Sequence, residues 1–299
     1  MSTDLLGYPQ IVVTVWGPLA AIALWHATRP LTRRLPPRER FVLAVLTAMT
    51  PLLAMSVPYL PGSPARDLPW RAPHAWGITN YVFPIDPQDV VATASAYVFH
   101  AVWVLPFASL AVSFAAGAVQ VVRTARRVAA LAPERRGEVW LVRSDRLGVA
   151  CTVGLLRPRI LLGSGVPPAH APAIIAHERV HAAARHPLWI FLATCSLRAW
   201  WWLPGWRAVL AEARLAAELR ADQGAREAQG AGAVAKALLA HLDVAASPAV
   251  ASSTFAARNT EFVHRARALA TPPRDVPAAQ LWSARVTGGL AIALVIILL

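Results

Sequence analysis

His177-Glu178-Arg179-Val180-His181 is the stretch on which the reading of this chain turns. Residues four apart on an α-helix share a face, so two imidazoles at this spacing reach one metal ion. The glutamate beside the first histidine then stands next to the open position of a bound zinc ion, where it takes a proton from water. An ordinary exposed helix with two histidines and a glutamate carries the same pattern, so a third ligand and a fitting neighbourhood are needed. A second helix is expected to bring a carboxylate or an imidazole. Glu218 and Asp222, again four apart, offer a ligand and a partner for a histidine N–H. On spacing alone Glu212 competes with Glu218.

The neighbourhood is apolar. Of 299 residues, 56% are hydrophobic and 15% charged, against about 25% charged in an ordinary soluble domain. Mean hydropathy is +0.45. Four stretches, 11–27, 41–60, 90–122 and 281–299, are expected to be membrane helices; the first lacks a basic leader and a cleavage site and reads as a retained span. Net charge is +13, and Lys236 is the only lysine among 29 basic residues. The arginine excess and the abundant alanine read mainly as coding bias, and with no recognition motif beside the charge, direct nucleic-acid binding is not expected. The placement of the arginines is informative: Arg29, Arg33, Arg34, Arg38 and Arg40 follow the first span, and Arg123, Arg126, Arg127, Arg135 and Arg136 follow the third. By the positive-inside rule the N-terminus lies outside and residues from about 123 to 280 lie in the cytoplasm of a multi-pass plasma-membrane protein. The chain thus divides into a three-span region (1–122), a cytoplasmic, membrane-associated domain (123–280) and a C-terminal span (281–299). The loop 61–89 reads as a connector.

Within 123–280, residues 138–143, 147–153 and 159–163 are expected to be short strands. Residues 172–185 should form the motif helix, ended by Pro187, and 206–230 a second charged helix. Between them 188–203 is apolar and closes on Trp200, Trp201 and Trp202, a cluster expected at a membrane interface. Cys151 and Cys195 have no partner at ligand spacing and read as reduced packing residues.

Three pieces of the chain resemble one family. Thr152-Val153-Gly154-Leu155-Leu156-Arg157-Pro158-Arg159-Ile160 is similar to a strand pair reading T-x-G-x-x-x-P-x-I. The stretch from His177 to Leu188 resembles H-E-x-x-H-x-x-x-R-D-P-L, and Trp202-Leu203-Pro204-Gly205-Trp206 followed by Glu218-Leu219-Arg220-Ala221-Asp222 resembles W-F-x-P-x-x-W and E-L-x-x-D. The family is the BlaR/MecR sensor-transducer group of membrane gluzincins, metallopeptidase family fifty-six; residues 262–269, with Arg265 and Arg267, loosely resemble its R-I-x-x-L segment. The resemblance covers roughly 90–275. It implies a polytopic α-helical membrane protein with an inserted α+β gluzincin metalloprotease domain, a small sheet beside the H-E-x-x-H helix and the glutamate-bearing helix. It implies Zn²⁺ on His177, His181 and Glu218, Glu178 as general base and Asp222 behind the ligands.

Two departures stand out. His186 occupies the place of an aspartate, and no penicillin-binding domain with an S-x-x-K motif is expected after the last span, so β-lactam acylation is not expected. The resemblance implies a membrane zinc endopeptidase acting in signal transduction. Its protein substrate would be a cytoplasmic BlaI/MecI-like winged-helix repressor or the chain itself, with self-cleavage placed at 245–260. The lipid bilayer is the other expected partner, and a homo-oligomer is compatible with the sequence. Arg185, His186 and His241 are candidates to stabilise the oxyanion, and the sheet near 147–162 is the expected substrate-binding edge. Alternatives are a membrane quality-control protease of the heat-shock gluzincin type and a non-catalytic zinc-containing membrane receptor.

Overall fold

The computed structural model describes residues 17–56, 90–143, 150–245, 255–271, 276–286 and 289, with the backbone alone at 54–56, 90–104, 241–245 and 255–260. Helices α1 (Gly17–Thr32) and α2 (Pro37–Ser56) are joined by a short turn carrying Arg33 and Arg34. Pro37 opens α2, where its fixed φ suits the helix and its missing N–H goes unneeded. Helix α3 (Val90–Ala130) runs past the apolar stretch into Arg123, Arg126 and Arg127. Among the described residues, Leu105–Ala130 is the one segment long and apolar enough to cross a membrane. The other expected spans fall partly outside the described residues: α1 covers 17–27 of the first, α2 covers 41–56 of the second, and a helical segment at 278–286 reaches only the start of the last. The 61–89 connector lies outside them as well.

A four-stranded sheet follows, with strands β1 (Glu134–Arg136), β2 (Val139–Val142), β3 (Ala150–Val153) and β4 (Arg159–Gly163) in the order β1-β2-β4-β3. The β2–β4 pair is parallel and the others antiparallel, with Leu161 opposite both Trp140 and Cys151. Strand β1 has no apolar alternation and was not expected; it pairs with β2 across a tight turn at Gly137, whose φ of +63° suits glycine. Central β4 is buried from Ile160 onward. Val139, Ile160, Leu162 and Val166 pack against Ile174, Ile175 and Ala182 of the motif helix, α4 (Ala171–Ala183). Strand β3 is left as an edge.

Pro187, expected to end the motif helix, instead sits in the first turn of the next helix, α5 (His186–Ala199). The break is at Arg185, a non-glycine residue at φ +50°. Such a residue is strained, and strain of this kind is concentrated where the surrounding structure over-determines it. Helix α5 then runs antiparallel to α3: Ser109 Oγ donates to the Ala199 carbonyl and Ser113 Oγ to the Cys195 carbonyl, both at 2.8 Å. One turn further, a Cβ on Gly117 would stand 2.7 Å from Cys195 Sγ and 2.8 Å from Phe191 Cε2, so only glycine admits this approach.

After a tryptophan-rich turn the chain returns as α6 (Trp206–Gln229), antiparallel to α5 and packed on α2. Trp200, Leu203 and Val209 meet Ile22, Trp25 and Ala48, and further along Ala213, Ala216 and Ala217 meet Phe41, Ala44 and Val45. Alanine here is not only coding bias. Ala213, Ala216, Ala217, Ala221 and Ala225 are all buried, and their small side chains let α6 lie close to its neighbours. A close approach falls at Gly224, where a Cβ would be 2.5 Å from Val180 Cγ2 of the motif helix. Helices α7 (Ala231–Ala245) and α8 (Phe255–Ala270) close the far side through Val234, Ala237, Leu238 and Leu269 against Ala173, Ala176 and Ala225.

Candidate metal centre

The Gly224–Val180 approach sets α6 against α4 with the face of Glu218 and Asp222 turned to the face of His177 and His181. His177 Nε2 and His181 Nε2 are 3.1 Å apart. Glu218 Oε2 lies 3.5 Å from His177 Nε2, and Glu218 Oε1 lies 3.4 Å from His181 Nε2. A tetrahedral ion with ligands at ~2.0–2.1 Å has edges of about 3.3–3.4 Å. Two imidazole nitrogens and a carboxylate at these separations therefore fit a zinc ion, and their partial burial suits one that keeps an open position. Behind them His177 Nδ1 is 2.9 Å from Asp222 Oδ1, a bond that turns Nε2 toward His181 and Glu218.

Glu212, the rival third ligand on spacing, is taken elsewhere. It is buried and ion-paired with Arg40 of α2, Arg40 Nε donating to Oε1 at 2.9 Å. Glu178 is held by the sheet: Thr152 Oγ1 is 2.6 Å from Glu178 Oε2 and 3.0 Å from the Glu178 carbonyl. Thr152 was legible as the first residue of the strand-pair resemblance, not as a partner of Glu178. Arg265 of α8 was legible only within the segment resembling R-I-x-x-L, not as a partner of Asp222. Its guanidinium grips Asp222 with two bonds, at 2.7 and 2.8 Å, and stands 2.9 Å from Glu218 Oε2.

These contacts set the ionisation. Burial alone would lower the His177 imidazole, but hydrogen bonds to Asp222 and Glu218 outweigh it and bring it up to about 9. Burial would raise the Glu218 carboxyl; the His177 bond and the Arg265 charge reverse this and hold it far below the usual carboxylate range. Asp222 is lowered against its burial by His177 and Arg265. Burial pulls His181 down. Burial, with Glu178 nearby, pushes the Cys151 thiol up to about 11, so it stays protonated and is a poor metal ligand.

The cleft in front of the cluster is lined by Ala150, Cys151 and Thr152 of edge strand β3 on one side and by Arg214, Val234 and Leu238 on another. Of the expected oxyanion candidates, Arg185 is exposed and outside the cleft lining, the side chain of His241 falls outside the described residues, and His186 is buried against His181. Most of the expected self-cleavage segment also falls outside the described residues; from Phe255 onward it is helical. No protein-family model, curated protein or solved structure matches this chain.

Proposed function

We propose that this protein is an integral-membrane zinc endopeptidase that cleaves a cytoplasmic protein. The observation that carries the reading is the triangle of His177 Nε2, His181 Nε2 and a Glu218 carboxylate at 3.1–3.5 Å, with Glu178 on the same helix as the two histidines. Zinc bound there supplies a Lewis acid for the peptide carbonyl and makes water acidic enough to lose a proton near neutral pH. Glu178 takes that proton as the water oxygen bonds to the carbonyl carbon. It then delivers the proton to the amide nitrogen as the C–N bond breaks. Thr152, donating to Oε2, keeps the carboxylate aimed into the cleft. Strand β3, an edge of the sheet among the described residues, borders the same cleft, so a substrate in extended conformation adds to it by backbone hydrogen bonds. By the resemblance of its motifs, the substrate class is a winged-helix repressor of the BlaI/MecI kind, or the chain itself.

A bilayer is the surrounding this reading gives the helices. Leu105, Phe107, Val112, Val119 and Val122 of α3 are exposed apolar side chains, followed by Arg123, Arg126 and Arg127 at the helix end. Helix α5 meets α3 through small residues and serine hydroxyls, the chemistry that holds helices together where water is absent. Trp201 and Trp202 are exposed at the turn between α5 and α6. On this reading the metal cluster faces the cytoplasm, the side to which the arginines at the end of α3 point by the positive-inside rule.

The test uses the full-length chain extracted from membranes in detergent. It is expected to hold about one zinc per chain and to cleave a repressor or an unstructured protein, with activity lost to a chelator and restored by zinc. Cleavage that survives complete metal removal would overturn the reading. Zinc uptake should also depend on pH. His177, up at about 9 in the free site, must lose its proton to bind metal. Affinity should therefore rise about ten-fold per pH unit through neutral pH and level off above about 9. A flat profile from pH 6.5 to 8.5 in chelator competition would show that His177 does not give up a proton.

A further inference from the structure

His186 is an expensive residue where it stands. Only 2% exposed, it packs its ring 4.6 Å from that of Phe41, and its Nε2 has no hydrogen-bond partner among the described residues. Leucine or phenylalanine would pack there without a buried unsatisfied nitrogen. The left-handed Arg185 and the helix start at His186 place the other ring nitrogen, Nδ1, 2.8 Å from Nδ1 of His181. At that distance two lone pairs repel, and so do two N–H groups, so one proton lies between the rings. It has two places to be. On His186, it leaves neutral His181 with its proton on Nε2, where it is a donor and not a ligand. On His181, it leaves the Nε2 lone pair free, facing His177 Nε2 and Glu218 Oε1.

We propose that His186 is a positioning residue for the metal centre: its Nδ1 accepts the Nδ1–H of His181 and so holds His181 in the tautomer that ligates through Nε2. The inference rests on the zinc reading above. It makes the two histidine ligands unlike. His177 is oriented by the Asp222 carboxylate at 2.9 Å, whereas His181 is oriented by a neutral imidazole. A neutral acceptor sets the tautomer without adding a fourth carboxylate to Glu178, Glu218 and Asp222.

Zinc affinity of the full-length chain in detergent, measured against a chromophoric chelator, separates the possibilities. In His186→Asn the side-chain oxygen branches from Cγ as Nδ1 does and restores an acceptor, whereas His186→Leu keeps similar bulk without one. Wild type and His186→Asn are expected to bind zinc within a few-fold of each other, and His186→Leu about 10- to 100-fold more weakly. Should the leucine variant fail to fold, the tautomer is read directly in the zinc-loaded wild type by ¹³C and ¹⁵N histidine NMR, with the His186 signals identified by their loss in His186→Asn. A neutral His186 protonated on Nε2 supports the assignment; one protonated on Nδ1 overturns it. Wild-type affinity in folded His186→Leu also overturns it while leaving the zinc reading intact. No zinc uptake by wild type removes the zinc reading itself, and this inference with it.

Discussion

Replacing Glu178 by Gln is expected to slow peptide-bond hydrolysis about 10²- to 10⁴-fold with zinc content unchanged. The size follows from the role. Glutamine keeps the shape of the side chain and its approach to Thr152, but cannot take a proton from water or return one to the leaving amine. The split between the two readouts matters more than the size. Glu178 is not one of the three converging donors, so metal binding should survive, whereas His181→Ala should lose zinc and activity together. Wild-type turnover in zinc-loaded Glu178→Gln would remove Glu178 from the chemistry.

Replacing Arg265 by Leu should be the most damaging single change to the metal-free protein. Asp222 is 3% exposed at its side chain, and Arg265 is its bidentate partner and the nearest guanidinium to Glu218. Removing one member of a buried ion pair leaves the others charged and uncompensated, at a cost of about 3–5 kcal/mol. For a chain of this size that lowers Tm by about 10 °C. Zinc should recover part of the loss, because it supplies positive charge beside Glu218, so the deficit should be smaller in the loaded protein. A metal-free Arg265→Leu chain that melts with wild type would mean that Asp222 and Glu218 are held by other means. The arginine on α8 thus acts as a counter-charge that holds the two carboxylates below the usual carboxylate range.

Much of the site was legible because it is local. His177 with His181, and Glu218 with Asp222, are each one helical turn apart, and helix geometry alone puts each pair on one face. The apolar runs likewise announce α2, α3 and α5, and the motif helix falls within a residue or two of its expected bounds. The misses have a common cause. Pro187 reads as a stop from its own chemistry, yet the break at Arg185 makes it a start. Strand β1 carries no apolar pattern and exists because β2 offers it a partner.

Spacing along the chain cannot say which face of one helix meets which face of another. Glu212 and Glu218 are equivalent in that respect, and the choice between them is made by Arg40, which claims Glu212, and by Gly224, whose missing side chain lets α6 close on Val180. Thr152 and Arg265 come to the site from 26 and 43 residues away from their partners, and His186 reaches His181 only because the backbone reverses between them. The sequence by itself determined that His177, Glu178 and His181 fall on one helical turn, and that Glu218 and Asp222 share a face of another helix, since both need only helix geometry. Tertiary packing decided which carboxylate stands beside the two histidines, a choice that spacing alone left open, and it brought Thr152, Arg265 and His186 to the cluster, because those contacts depend on distances between elements that no local pattern encodes.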